Sequence, residues 1–310
     1  MLRMRDKNPH SRPSAQTVCT KEGLLYFVWE REAIRLRKLE NLPNPWTQDP
    51  ILHKYKFTNI HRKDDRVTDW IVNNIICPNE GREDIWFILL ITRLINWPPT
   101  LRRLIDDNIL FAPAQSFECA SFSESIETLR AEGGKVYSGA YMVYPTKMDI
   151  GGVKSLALAR HIIEPTLKVY GEITHAIFDS SREASIERFV DVLSQCFGIS
   201  TFMAGQVAAD MTYVNAPLAD ACDIYSYAPI GPGSSRGLNY LYDRVPNAGW
   251  TQGDFNKALV QIFNSIYENL GIPTLTLHDC QNIMCEYSKY CRTVLGEGKP
   301  KTKYQPEKEF

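Results

Sequence analysis

Apolar residues recur three and four positions apart over most of the chain, the period of an α-helix with one buried face. Leu24, Leu25, Phe27, Val28, Ile34, Leu36 and Leu39 predict a helix over 21–40, closed by the loop Asn41-Leu42-Pro43-Asn44-Pro45. Thr58 is placed to cap a helix carrying Val67, Trp70, Ile71 and Ile75, which stops near Pro78. Glu83 to Asn96 reads as a third helix, ended by Pro98-Pro99. Ser181 opens an amphipathic pattern through Ile186, Phe189, Val190, Leu193 and Phe197, and Gly198 suits its C′ position. Another helix follows at about 201–214, and Thr276 with Asp279 forms a capping box for a last one reaching about 292. Only Lys135-Val136-Tyr137 with Ala140-Tyr141-Met142-Val143-Tyr144, after Gly133-Gly134, reads as a short β-hairpin. The expected fold class is mainly α. Its expected organisation is a flexible N-terminal segment over 1–20, a single helical domain over 21–296 and a flexible polar tail over 297–310.

Polar residues at apolar positions mark where chemistry would sit, because burying a charge without a partner costs several kcal/mol. The helix near 201–214 is apolar or small nearly all round, and its exceptions, Gln206, Asp210 and Tyr213, fall on one stripe. A carboxylate on a helix with no wet face needs a task or a partner, the plainer partner being an arginine or a neighbouring helix N-terminus. Arg93 and Asn96 lie one turn apart in an otherwise apolar helix; the guanidinium either snorkels to solvent or reaches inward for a phosphate. On the last helix, Asn282, Glu286, Lys289 and Tyr290 occupy neighbouring turns, where Glu286 and Lys289 would be a site or only a surface pair.

Composition narrows this little. Net charge is −1, so no global positive field points to nucleic acid, yet residues 1–70 hold 14 Lys and Arg against 9 Asp and Glu. No apolar run reaches membrane-spanning length; the longest, Ile85 to Ile95, is broken by Thr92 and Arg93. With no leader-like N-terminus, a soluble cytoplasmic location is expected, without membrane association. The eight cysteines have no paired C-x-x-C spacing, and in a helix Cys285 would lie roughly 140° round from Cys280. Reduced, mostly buried thiols are expected rather than a metal centre, and no cofactor is expected. A P-loop is missing as well: Gly133-Gly134-Lys135 lacks the upstream glycine and is followed by Val136. Ile230-Gly231-Pro232-Gly233-Ser234-Ser235-Arg236 resembles the turn of a helix–hairpin–helix element, whose backbone N–H groups suit a phosphate.

Taken together these motifs resemble the phage α-glutamyl/putrescinyl thymine pyrophosphorylases, or amino acid:DNA transferases. That family is related to the helical domain of 5-hydroxymethyluracil DNA kinases and distantly to helix–hairpin–helix DNA glycosylases. The resemblance runs from about Phe27 to Arg292. It rests on Trp29-Glu30-Arg31-Glu32, Pro45-Trp46-Thr47 with Asp49-Pro50-Ile51-Leu52, Lys56-Phe57-Thr58-Asn59 with Arg62 and Asp65-Arg66, and Arg93-Leu94-Ile95-Asn96. It continues through Gly139-Ala140-Tyr141, Gln206 with Asp210, Gly231-Pro232-Gly233 and Cys285-Glu286-Tyr287 with Lys289-Tyr290.

The resemblance implies a DNA-glycosylase-like helical domain that acts on double-stranded DNA carrying phosphorylated 5-hydroxymethyluracil. An amino acid or polyamine would displace (pyro)phosphate and form a C–N bond at the 5-methylene, with a 5-hydroxymethyluracil DNA kinase as a further partner. Asp210 and Glu286 are then the candidate bases for the amine. Arg62, Arg66, Arg93, Arg236 and Lys289 are candidates for the departing oxyanion, and the four arginines should converge on one concave, positive face. Asn59 and Gln206 would read a flipped base and Trp46 or Tyr213 would stack on it, with Asp65, Asn96 and Tyr290 also lining the substrate site. Gly231, Gly233, Ser234 and Arg236 would hold the DNA backbone, and a nucleophilic Cys285 is a minor option. The helices near 201–214 and 277–292 should share a pocket. The competing readings are a glycosylase-like enzyme, for which Asp243 sits too close to the hairpin, and a non-catalytic DNA-binding accessory of the kinase.

Overall fold

The computed structural model describes residues 8–139, 152–272 and 274–304, and the chain divides into two compact units, residues 1–65 with 225–309 and residues 66–224. Fourteen α-helices carry the described residues, joined by short 3₁₀ and π turns. They are α1 (Lys21–Leu39), α2 (Pro50–Lys54), α3 (Arg66–Ile71), α4 (Ile85–Ile95), α5 (Pro98–Asp106), α6 (Cys119–Ala131) and α7 (Lys154–Leu158). There follow α8 (Glu164–Leu167), α9 (Tyr170–Phe178), α10 (Ile186–Leu193), α11 (Thr201–Asp210), α12 (Pro232–Leu241), α13 (Gln252–Leu270) and α14 (Leu277–Val294). The fold is mainly α, as expected; the one β pairing among the described residues is an isolated bridge between Tyr55 and Lys303. No helix among them is long and apolar enough to cross a membrane.

The first unit joins the two ends of the sequence. Helices α1, α12, α13 and α14 enclose one apolar core, with Phe27, Phe57, Tyr287 and Tyr290 forming its aromatic centre at ring separations of 5.3–6.5 Å. Thr20 caps α1 through the Gly23 N–H, and Thr276 and Asp279 form the expected capping box on α14. Helix α12 lies hard against α14 because of two glycines four residues apart. A Cβ at Gly233 would overlap the Cys285 sulfur, and one at Gly237 would overlap the Met284 carbonyl. Residues 302–304 are not a loose tail: the Lys56 N–H donates to the Thr302 carbonyl and the Tyr304 N–H to the Lys54 carbonyl, both at 3.0 Å.

The second unit is built around α4 and α11, each buried along almost its whole length, with α10 packed on α11 and α9 on α10. Helix α4 ends where Asn96 turns left-handed (φ 47°), and Pro98 opens α5 immediately afterwards.

Several local expectations change. Thr58 caps no helix; α3 begins at Arg66, and the Thr58 hydroxyl is engaged by the Asn282 side chain instead. Ser185, not Ser181, caps the amphipathic helix, which ends at Leu193 and leaves Phe197 exposed. The next helix stops at Asp210, so Tyr213 lies beyond it. Lys135, Val136 and Tyr137 form no strand, and Ala140 to Tyr144 lie outside the described residues. The stretch before Gly231 is a series of turns, so the helix–hairpin–helix likeness has only its second helix. Of the cysteines, Cys280 and Cys291 are buried, while Cys77 and Cys222 are exposed.

The close approach of α12 to α14 gives a direct test. Gly237→Ala should destabilise by about 1–3 kcal/mol, since the obstacle is backbone and cannot rotate away. Gly253→Ala, with open space around its Cβ position, should be neutral. Thermal unfolding of the two variants separates them.

Candidate functional site

The loop over 57–65 has little regular structure, and side chains from α1 and α14 hold it. Buried Arg31 donates from Nη2 to the Phe57 and Thr58 carbonyls at 3.0 and 3.1 Å, and from Nε to Thr58 at 3.2 Å. The same Nη2 reaches the Asn59 side-chain oxygen at 3.3 Å. From the other side, the Thr58 N–H donates to Glu286 Oε2 at 3.1 Å, and the Asn282 amide reaches the Thr58 hydroxyl and the Asn59 carbonyl, each at 3.1 Å. Asp279, already capping α14, accepts the Arg62 N–H at 2.8 Å. Inside the loop, Asp65 accepts the Asn59 N–H and the Asn59 amide donates to the Asp64 carbonyl, both at 2.8 Å.

Glu286 is the centre of this arrangement. Its carboxylate is buried, yet Lys289 Nζ sits 2.6 Å from Oε2 with 36% of its side chain exposed. The pair is therefore no surface ornament: a fixed anion holds a cation at the rim, beside the Phe57 ring and the partly exposed Thr58 and Asn59. Burial pushes the Asp65 carboxyl up to about 7, opposed by the Asn59 N–H and by Arg62 and Arg31, with Glu286 adding to the rise. Burial likewise raises the Cys285 thiol to about 11, which leaves it neutral near pH 7 and disfavours a nucleophilic cysteine.

The remaining expected residues of this unit fall in three places. Tyr290 is fully buried, and its hydroxyl donates at 2.7 Å to Asp49, the carboxylate that caps α2 and also takes Tyr26 and Arg12. Its hydroxyl is thus engaged in the core. Trp46 is partly buried, donates to the Leu42 carbonyl, and forms with Tyr304 a pair of rings around the Lys38 ammonium, at 4.9 and 4.2 Å. An open cavity of about 420 Å³ adjoins this motif, lined by Asn44, Pro45, Thr47, Gln48, Pro50 and His53. Gly231 caps α12, Gly233 lies on Cys285, buried Ser234 donates to the Gly231 carbonyl, and Arg236 donates to Asn247 at 2.8 Å.

In the second unit, Arg93 and Asp210 form a buried fork. Nε meets Oδ2 at 2.6 Å and Nη2 meets Oδ1 at 2.5 Å, with both side chains at most 1% exposed. Arg93 further donates to Asn96 at 3.0 Å and to Thr68 at 3.3 Å, and Asn96 donates to Ser138. Gln206 is buried one turn before Asp210, and Tyr213 is half-buried past the helix end. The arginine partner weighed for Asp210 is thus Arg93, and neither group of the fork is presented to solvent. The four arginines expected to converge divide by unit: Arg62 and Arg236 in the first, Arg66 and Arg93 in the second. Asp210 and Glu286 divide likewise.

Sequence reasoning gave Arg31 no role of its own. The available signal was an Arg-Glu pair, Arg31-Glu32, on a helix buried from Gly23 to Trp29 and again from Arg31 to Ile34.

These features define an all-α protein with a polar cluster on its last long helix. Residues 20–299 match the family model described as "5-hmdU DNA kinase, helical domain", and the chain belongs to that family. It is 25% identical over 288 residues to the 5-hmdU DNA kinase of Bacillus phage SP10, covering 86% of this chain and 44% of that protein. The chain thus spans less than half the length of that curated relative. No solved structure matches it significantly.

Asp65 gives a pH test whose sign is fixed. Unfolded, its carboxyl ionises near 3.8; folded, near 7, so between these values the native state keeps a proton that the unfolded chain has lost. Its contribution to stability is fully present below about 3.8 and is lost as pH rises through about 7. Asp65→Asn should therefore flatten the fall of the thermal midpoint over this range, while wild type loses stability across it. The measurement is thermal unfolding at half-unit pH steps.

Proposed function

We propose that this protein transfers an amine onto the 5-methylene of phosphorylated or pyrophosphorylated 5-hydroxymethyluracil in DNA. The observation that carries this reading is the Glu286–Lys289 pair at the rim of the 57–65 loop, in a chain that belongs to the helical-domain family. The amine nitrogen attacks the methylene carbon, a C–N bond forms, and the C–O bond breaks with its electron pair leaving on the (pyro)phosphate. Lys289 is the cation that meets the departing oxyanion. As the phosphate competes for Lys289, Glu286 is released to take the proton that the amine sheds. Asn282 and Arg31 act as positioning residues, fixing Thr58 and Asn59 against α14. Asp210 is assigned here to anchoring Arg93 rather than to proton transfer, because the fork engages both carboxylate oxygens. An amino acid or polyamine is the donor and duplex DNA the acceptor.

A second reading, a DNA-binding accessory to phosphorylation, is favoured by the name of the phage SP10 relative, a 5-hmdU DNA kinase. Nucleoside mass spectrometry of phosphorylated 5-hydroxymethyluracil DNA, incubated with this protein and a panel of amines, separates the possibilities. An aminomethyl adduct supports transfer. Abasic sites would indicate a glycosylase. An unchanged nucleoside, with phosphorylation stimulated when a kinase is added, would indicate the accessory.

Glu286→Gln keeps the shape and the Thr58 hydrogen bond, and should bind DNA as wild type does while losing transfer by roughly 10²–10⁴-fold. Raising the pH should restore part of the loss, because more of the free amine is then neutral. Wild-type transfer by a folded Glu286→Gln protein would remove Glu286 as the base.

A further inference from the structure

The residues just before the 57–65 loop form a small ribbon with the far end of the chain. Residues 54–56 run antiparallel to 302–304, joined by the two backbone hydrogen bonds already described and the Tyr55–Lys303 bridge. The ribbon is anchored by two tyrosines. Tyr55 is buried in the core, and Tyr304 stacks edge-on against Trp46 at 6.1 Å with the Lys38 ammonium 4.2 Å away. The ribbon carries Lys54, Lys56, Lys301 and Lys303, all exposed, and Lys299 lies just upstream, exposed as well. Lys54, Lys299, Lys301 and Lys303 make no ion pair among the described residues. Such cations are not needed to satisfy buried acids, and crowding them on one ribbon raises the local potential. A net charge of −1 for the whole chain makes the concentration local rather than general.

We propose that this lysine-bearing ribbon is the surface that grips the phosphate backbone of duplex DNA. The partner follows from the reaction proposed above, on which this inference rests; the place follows from the ribbon's own charge and continuity. Residue 56 is covalently next to Phe57, so a duplex held on the ribbon lies within the first unit beside the loop bearing Thr58 and Asn59. The contacts are ammonium to phosphate oxygen. They carry no base information, position the duplex and release counterions. Because strand pairing with 54–56 fixes residues 302–304, binding here also ties the end of the chain to the order of the site loop.

The test is the salt dependence of binding to an unmodified duplex, followed by fluorescence anisotropy. The triple variant Lys54→Gln, Lys301→Gln, Lys303→Gln should bind roughly tenfold or more weakly at low salt, with the slope of log K against log salt reduced by about 2–3. The same three positions changed to Arg should bind as wild type, since charge and not shape is the requirement. Lys257→Gln, on an 81% exposed lysine of α13, should change neither quantity. Single Lys301→Glu should weaken binding in the same direction, which keeps the test decisive if the triple variant is unstable. Unchanged affinity and slope in the Gln triple and in Lys301→Glu, or an equal loss in Lys257→Gln, would overturn the ribbon. Amine transfer is read separately by mass spectrometry. Intact transfer with ribbon-independent binding removes the ribbon alone; ribbon-dependent binding without transfer to any amine removes the reaction alone.

Discussion

The first unit depends on one constraint: the backbone of Phe57, Thr58 and Asn59 must satisfy its hydrogen bonds without a helix or a sheet. The loop is only partly exposed, and each polar group left buried and unpaired would cost about 1–3 kcal/mol. Arg31 answers for the carbonyls, and Glu286 and Asn282 answer for the amide and the remaining carbonyl. The charges of Arg31 and Glu286 are therefore structural before they are anything else. That double duty explains why a buried carboxylate is tolerated on α14, and why a cation stands next to it at the rim. A site assembled this way is pre-organised: the groups that would meet a substrate are locked by the same bonds that hold the loop.

Two of the buried acids, Asp210 and Glu286, illustrate different solutions to one problem. Asp210 is neutralised in a dry, bidentate fork by Arg93, which uses both oxygens and leaves no face for a ligand. Glu286 receives one backbone N–H and one flexible ammonium, an arrangement that can be taken apart by an anion arriving from outside. Charge burial alone does not distinguish them. Partner geometry does.

Much of this was legible in the sequence where the governing interaction is local. The capping box of Thr276 and Asp279, the all-apolar face of Thr201–Asp210 and the start of α12 at Gly-Pro-Gly follow from spacings of three or four residues. What failed did so where the deciding partner is distant. Thr58 has the right side chain for a cap, but its hydroxyl is taken by Asn282, 224 positions away. Tyr290 has the right chemistry for a binding site, but its hydroxyl reaches back to Asp49. Gly233 resembled a phosphate-binding turn, whereas its spacing from Gly237 reports a close helix contact, a signal that needs the identity of the facing helix.

The division of the chain has a consequence for its synthesis. Residues 1–65 pack in one unit with 225–309, so α1 leaves the ribosome long before α14, which shares its apolar core. Until α14 emerges, Leu24, Phe27 and Val28 lack much of the core they enter, whereas α4, α5, α10 and α11 pack on one another within residues 66–224. The middle of the chain can therefore complete itself first, and the outer unit closes last through contacts of large sequence separation, the slow kind. For a protein made in a crowded cell, the vulnerable interval is the wait of the N-terminal helix, and the final turns of α14 end it.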